Sequence, residues 1–152
     1  SIEEIHNDPR NIIISDLHAE NIIVDRNFKP YIVDIDSCKI DDIPNEVIPI
    51  ALKYYHSNRN LYLSIYRFKT TANTDRLCLL MIVLGLIFNK HIDRVSMKEY
   101  DKKAEQIDTL RYMRELVVDI KKSTTIPEVP YFHELIKDSD IKLTRTKRKN
   151  IT

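Results

Sequence analysis

One glycine, Gly85, occurs in 152 residues, and tryptophan is absent. A lone glycine excludes any glycine-rich loop that wraps nucleotide phosphates with its backbone, because such loops need several residues without a Cβ close together. Cysteine is scarce as well. Cys38 and Cys78 are too few for a disulfide framework and point to a reducing, cytoplasmic setting rather than secretion. Long apolar runs are missing too. The longest, Leu77 to Phe88, falls well short of the roughly 18 residues that a membrane span needs. It predicts a helix buried on all sides and no membrane span. Neither sign of charge dominates: 24 Lys and Arg offset 23 Asp and Glu, for a net charge of +1.

What is present is ordinary for a globular domain, with 43% hydrophobic and 31% charged residues. This length suits one domain that buries roughly 70% of the surface of its unfolded chain. The small net charge hides a gradient. Residues 1–48 carry eleven acidic side chains against four basic ones, whereas residues 141–152 carry five basic ones and no acid. An acidic first third fits a site for divalent cations. The tail from Lys142 to Thr152 lacks interleaved aromatics and reads as a solvated terminus, so nucleic acid is not an expected partner. The organisation predicted is a folded unit over 1–140 followed by a basic tail over 141–152.

The informative stretch runs from Ile12 to Ser37, IIISDLHAENIIVDRNFKPYIVDIDS. Asp16 follows the apolar run Ile12-Ile13-Ile14, Asn21 opens Ile22-Ile23-Val24, and Asp34 ends Tyr31-Ile32-Val33. The apolar runs read as short strands. The segment from Asp25 to Pro30 between the last two is polar and ends in proline, as a hairpin loop should. Acidic and amide side chains held at strand ends suit a phosphate and its hard metal ion, since magnesium prefers oxygen ligands.

These residues resemble the C-terminal lobe of the protein-kinase-like fold. Asp16-Leu17-His18-Ala19-Glu20-Asn21 matches the D-L-x-x-x-N part of the kinase catalytic loop, and Asp34-Ile35-Asp36 stands where kinases have D-F-G. His18 makes the loop similar to the D-L-H-x-x-N version of small-molecule and atypical kinases. The resemblance implies that Asp16 accepts or orients a substrate hydroxyl, with His18 beside it. It implies that Asn21 and Asp34 hold Mg²⁺ or Mn²⁺ on the phosphates of ATP, and Asp36 offers a further carboxylate that either shares the metal or faces solvent. Ile14-Ser15 replaces the usual His-Arg, which leaves no arginine to capture an activation-loop phosphate. Asp36 also stands in place of the D-F-G glycine.

Half of such an ATP site is absent. No glycine loop, strand lysine or partner glutamate helix precedes Ile12, because only eleven residues do. The first residue is Ser rather than Met, and Ile2 to His6 reads as the tail of a helix. The expectation is a lobe whose nucleotide site is completed by a missing N-terminal lobe or a complementing chain, and which binds ATP poorly alone. The phosphate acceptor would be a hydroxyl on a small molecule or a protein.

Further along, Ile50 to Asn60 predicts a helix in which Tyr54, Tyr55 and His56 either meet substrate or pack. Thr70 to Asp75 is rich in capping residues, with Thr74 or Asp75 expected to cap the apolar helix. In the family resemblance, Asp75 is instead the aspartate that anchors the catalytic loop from below, although Leu80 stands where kinases have a glycine. His91 reads as a surface histidine. Ile107, Leu110, Met113 (or Arg114), Val117 and Ile120 step along one helical face of the segment from Met97 to Lys122. Pro127 and Pro130 precede a last short helix, Tyr131 to Lys137. Strands first and helices afterwards predict an α+β, mainly helical unit, with a small hairpin packed on a buried central helix.

Two rival functions use the same residues. Ile32-Val33-Asp34-Ile35-Asp36 resembles the D-x-D strand of haloacid-dehalogenase-type phosphatases, in which the first aspartate is the nucleophile, and D-x-D also occurs in glycosyltransferases. Both need further strands downstream, where helices are expected. The other rival is a kinase-like lobe without catalysis, acting as a binding or regulatory module.

Overall fold

A computed structural model describes residues 1–15, 17–35, 38, 71–122, 127–138 and 140. The expected helix over 50–60, Tyr54, Tyr55 and His56, and the basic tail lie outside these residues, as do Asp16 and Asp36.

The chain opens with α1 (Ile2–His6). The Ser1 hydroxyl accepts the Glu4 N–H at 3.3 Å and the Glu4 carboxylate meets the terminal amine at 3.0 Å, a reciprocal cap that satisfies free donors at the helix start. A single 3-10 turn (Ala19–Asn21) then leads into an antiparallel hairpin of β1 (Ile22–Val24) and β2 (Pro30–Ile32), in which Ile22 pairs with Ile32 and Val24 with Pro30. Asp25 builds the turn. Its carboxylate accepts the N–H groups of Lys29 at 2.9 Å and Asn27 at 2.8 Å, which holds its pKa below the usual carboxylate range. Ile12 to Ile14, expected as a strand, makes only an isolated bridge at Ile13. The Ile14 N–H is taken by a side chain instead of a neighbouring strand.

The central element is α2 (Ala72–Phe88). Its N-cap is Thr71, not Thr74 or Asp75. Thr74 Oγ1 accepts the Thr71 N–H at 2.9 Å, and Asp75 lies a turn inside the helix. Leu77, Leu80, Met81 and Leu84 are buried, and they pack with Ile14 and Leu17 from the loop before the hairpin. The expectation of burial on all sides is corrected at one edge. Leu86 is 76% exposed, and a Cβ on Gly85 would meet nothing within 4 Å, so this side of the helix has no neighbour among the described residues.

After Asn89, which ends α2 in the left-handed conformation that Asn tolerates, His91 is half-buried and leads a 3-10 turn, Ile92–Arg94. The segment expected along one helical face is three helices, α3 (Met97–Ala104), α4 (Asp108–Tyr112) and α5 (Arg114–Lys122). The first break is fixed from a distance. The Asp140 carboxylate accepts the N–H groups of Asp108 at 3.1 Å and Thr109 at 2.7 Å, which supplies the cap that Ile107 lacks. Leu110, Met113, Val117 and Ile120 are buried, as their spacing predicts. The short α6 (Phe132–Leu135) closes the domain, inside the expected Tyr131 to Lys137. The architecture is α+β and mainly helical, and no helix among the described residues is long and apolar enough to cross a membrane.

Candidate functional site

Asp75 organises the segment that leads to Asp16. Its carboxylate has no exposed surface and accepts three hydrogen bonds: the Ile14 N–H on Oδ2 at 2.8 Å, the Ser15 N–H on Oδ1 at 3.0 Å, and His6 Nε2 on Oδ2 at 2.8 Å. A buried carboxylate needs such donors in place of water, and bonds to an ionised acceptor are the stronger kind. Because Asp75 only accepts, His6 donates through Nε2–H, and in the neutral ring Nδ1 accepts the Tyr131 hydroxyl at 2.9 Å.

The clamp holds an unfavourable backbone. Ser15 has φ 72, and its buried Oγ has no hydrogen-bond partner among the described residues. Left-handed backbone at a residue with a Cβ costs about 1–2 kcal/mol. Two amide bonds to a carboxylate, each contributing about 1.5–3 kcal/mol, offset that. On the other side of Asp16, Leu17 is fully buried. Both neighbours of Asp16 are therefore fixed, one by hydrogen bonding and one by packing.

The remaining predicted residues sit at the open end of the hairpin. His18 is half-buried, and its carbonyl accepts the Asn21 N–H at 3.0 Å, closing the 3-10 turn. Asn21 is buried, and its carbonyl accepts the Val33 N–H at 2.9 Å. That bond extends the ladder by one pair and brings Asn21 opposite the residue before Asp34. Asp34 is exposed and has φ 56, a turn that takes the chain out of the strand alternation. Asp34 and Ser15 are thus two left-handed non-glycine residues that flank the loop and the hairpin end. Such conformations gather at functional sites.

The donor set proposed from sequence for a metal, Asn21, Asp34 and Asp36, is made only of oxygen ligands and fits Mg²⁺ or Mn²⁺. Among the described residues no three His, Cys, Asp or Glu side chains gather around one point, and Asp36 and Asp16 are not among those residues. Cys38 is half-buried, and burial, followed by the Asp75 charge, pushes its thiol up from the usual value. A thiol so disfavoured as thiolate is a poor nucleophile.

A cleft of about 860 Å³ lies between α1, the hairpin and α6, and its lining includes Leu17, Ile22 and Ile35, which adjoin the predicted site residues in sequence, as well as Ile2, Ile14 and Phe132. It borders neither Asn21 nor Asp34. Its lining includes Glu3 and Glu4, and its arginine, Arg10, is engaged by Asp8 at 2.9 Å. Among the described residues, the cationic groups of the lining are paired: Arg10 with Asp8, the Ser1 amine with Glu4 and His133 with Glu3. Sequence reasoning missed His6, Ser15 and Tyr131. They meet Asp75 or its partners at sequence separations of 60, 69 and 125, and no local pattern marks them.

Compared with known proteins, this chain matches no family model, no curated protein and no solved structure.

Proposed function

We propose that this chain is the C-terminal lobe of a kinase-like phosphotransferase, which moves the γ-phosphate of ATP to a hydroxyl on a small molecule or a protein. The observation that carries the reading is the Asp75 clamp. A buried helix lends a carboxylate to the two amides directly before Asp16, so the loop is held from below at a residue with left-handed backbone. Holding a side chain in a reactive geometry is the main protein contribution to phosphoryl transfer, where positioning and electrostatics dominate.

In this reading Asp16 orients the acceptor hydroxyl and takes its proton, with His18 beside it in the same loop. Asn21 and Asp34, with Asp36, hold magnesium or manganese, which would neutralise charge on the phosphates when bound. The base and remaining phosphates of ATP require a second lobe, in the same polypeptide or supplied by a partner chain. The exposed apolar side chains of the hairpin, Ile23 and Val24 at 54% and Phe28 at 83%, support a covering partner. The same surface favours the second reading, a kinase-like binding module that keeps the loop without catalysis.

The test is Asp16→Asn in the phosphotransfer-competent protein. A positioned base contributes a factor of about 10² to 10⁴ in rate. Turnover should fall by that order while ATP binding stays nearly unchanged. Unchanged phosphotransfer would exclude Asp16 as the base and leave the binding module as the better reading.

A further inference from the structure

His6 and Tyr131 take no part in the proposed chemistry, yet they complete a closed circuit around the clamp. The first turns of α2 hold three different segments with neighbouring side chains. Asn73 Nδ2 donates to the Pro127 carbonyl at 3.0 Å, and its Oδ1 accepts the Val129 N–H at 2.7 Å. Arg76 Nε donates to the Val129 carbonyl at 2.6 Å, and its guanidinium lies 4.9 Å from the Tyr131 ring centroid. Between them in sequence, Asp75 holds Ile14 and Ser15. The segment strapped down by Asn73 and Arg76 then returns through the Tyr131 hydroxyl to His6 Nδ1, and through His6 Nε2 to Asp75 Oδ2. That oxygen is the one that also takes the Ile14 amide.

We propose that His6 and Tyr131 are positioning residues for Asp16, acting through the Asp75 carboxylate, so that the C-terminal segment 127–131 governs how firmly the catalytic loop is held. The part that concerns Asp16 rests on the phosphotransferase reading; the control of the loop does not. The physical argument is one of shared acceptors. Ile14 and Ser15 place one amide on each Asp75 oxygen, and the imidazole adds a third donor on Oδ2 that ties the carboxylate to a side chain outside the loop. The imidazole is in turn fixed because each of its nitrogens has a single partner, one of them Tyr131. The His6 ring is 4% exposed, so water does not replace either partner. Loss of the Tyr131 hydroxyl frees the ring, the freed ring loosens Asp75, and the amides of Ile14 and Ser15 lose part of their protection.

The experiment is amide hydrogen exchange in the 152-residue chain, read residue by residue, for Tyr131→Phe, His6→Ala and His6→Gln. The first two should accelerate exchange at Ile14 and Ser15 by roughly three- to tenfold, the range that one lost hydrogen bond allows. Amides in the middle of α2 and in α5 should exchange as before. His6→Gln, which can still donate to Asp75, should restore most of the protection, a rescue that a packing role alone would not give. The proposal is overturned if Ile14 and Ser15 keep their protection in Tyr131→Phe. It is equally overturned if exchange accelerates uniformly over the domain, since that reduces His6 and Tyr131 to general stability. Should His6→Ala fail to fold, Tyr131→Phe alone decides. No substrate enters the measurement, so a failure of the phosphotransferase reading appears separately, as a lack of turnover with the local exchange response intact.

Discussion

The Asp75 carboxylate lies 2.8 Å from the amide of Ile14, 61 positions earlier in the chain, and it takes the next amide on its other oxygen. An asparagine at this position keeps the shape but offers one acceptor, and its NH₂ must face at least one of the three donors. A buried donor left without an acceptor costs about 1–3 kcal/mol. Asp75→Asn should therefore lower the unfolding free energy by that amount, read as a lower urea midpoint with the denaturant slope unchanged. A loss below about 0.5 kcal/mol, the range of ordinary surface substitutions, would mean that the carboxylate carries little of the loop.

Gly85 offers a test with the opposite sign. It lies inside α2, its φ is not left-handed, and beyond its chain neighbours and the helix's own backbone no atom of the described residues comes within 4 Å of where a Cβ would go. Nothing in the packing calls for glycine. Replacement by alanine removes the extra backbone freedom of the unfolded chain and should stabilise the domain by about 0.5–1 kcal/mol. Chemical denaturation of Gly85→Ala reads this directly. A destabilised variant would mean that this edge of α2 is covered, against the exposure of its neighbour Leu86.

The hairpin was legible in the sequence because its signals are local. Asp25 and Pro30 bracket the polar turn between two short apolar runs, and turn chemistry of this kind needs no distant partner. The apolar run of α2 and the buried positions Leu110, Met113, Val117 and Ile120 were legible for the same reason, as periodicity. What was not legible depends on distance. Thr71 rather than Thr74 or Asp75 caps α2, because Asp75 points away to the loop at Ile14 and Ser15. Ile12 to Ile14 has the composition of a strand, but the Ile14 amide is spent on that carboxylate. The break between α3 and α4 is set by Asp140, beyond any helical period. At the candidate site, the residue types were visible at 16, 21 and 34, whereas the left-handed backbone of Ser15 was not. Serine carries no signature for it, and only the clamp makes it tenable.

Tyr100 gives the domain an alkaline limit. Its hydroxyl donates to the Leu110 carbonyl at 2.6 Å inside the core. Burial, reinforced by the nearby Asp101 charge and partly opposed by Arg114, pushes its pKa well above the ordinary value of 10.0. A phenol whose folded value is raised contributes stability that is complete below its unfolded value. The contribution declines as pH climbs past 10.0. Lys121, lowered by burial where it donates to the Ile92 and Val95 carbonyls, works with the opposite sign. Tyr100→Phe separates the two. It should cost about 1 kcal/mol at neutral pH through the lost hydrogen bond. It should also flatten the fall in urea midpoint above about pH 10, the range in which an unperturbed tyrosine ionises. An alkaline limb as steep as in the parent would assign the loss to another group.

Asp34 carries the last prediction, because its backbone tells charge from conformation. At φ 56 it occupies a region that asparagine tolerates as readily as aspartate. Asp34→Asn should leave the hairpin and the Val33–Asn21 bond in place while removing one negative charge from the proposed metal site. Manganese alone is the probe, titrated into the 152-residue chain and read as paramagnetic broadening of the Asn21 side-chain amide. Divalent affinity follows the number of charged oxygen ligands, so the substitution should weaken binding by about tenfold. Asp16→Asn, which in the proposed reaction removes a proton acceptor and not a ligand, should leave the same titration nearly unchanged. If Asp34→Asn binds manganese as the parent does, Asp34 is not a ligand. The acidic hairpin end would then be a solvated turn, and the phosphotransferase reading would lose its metal.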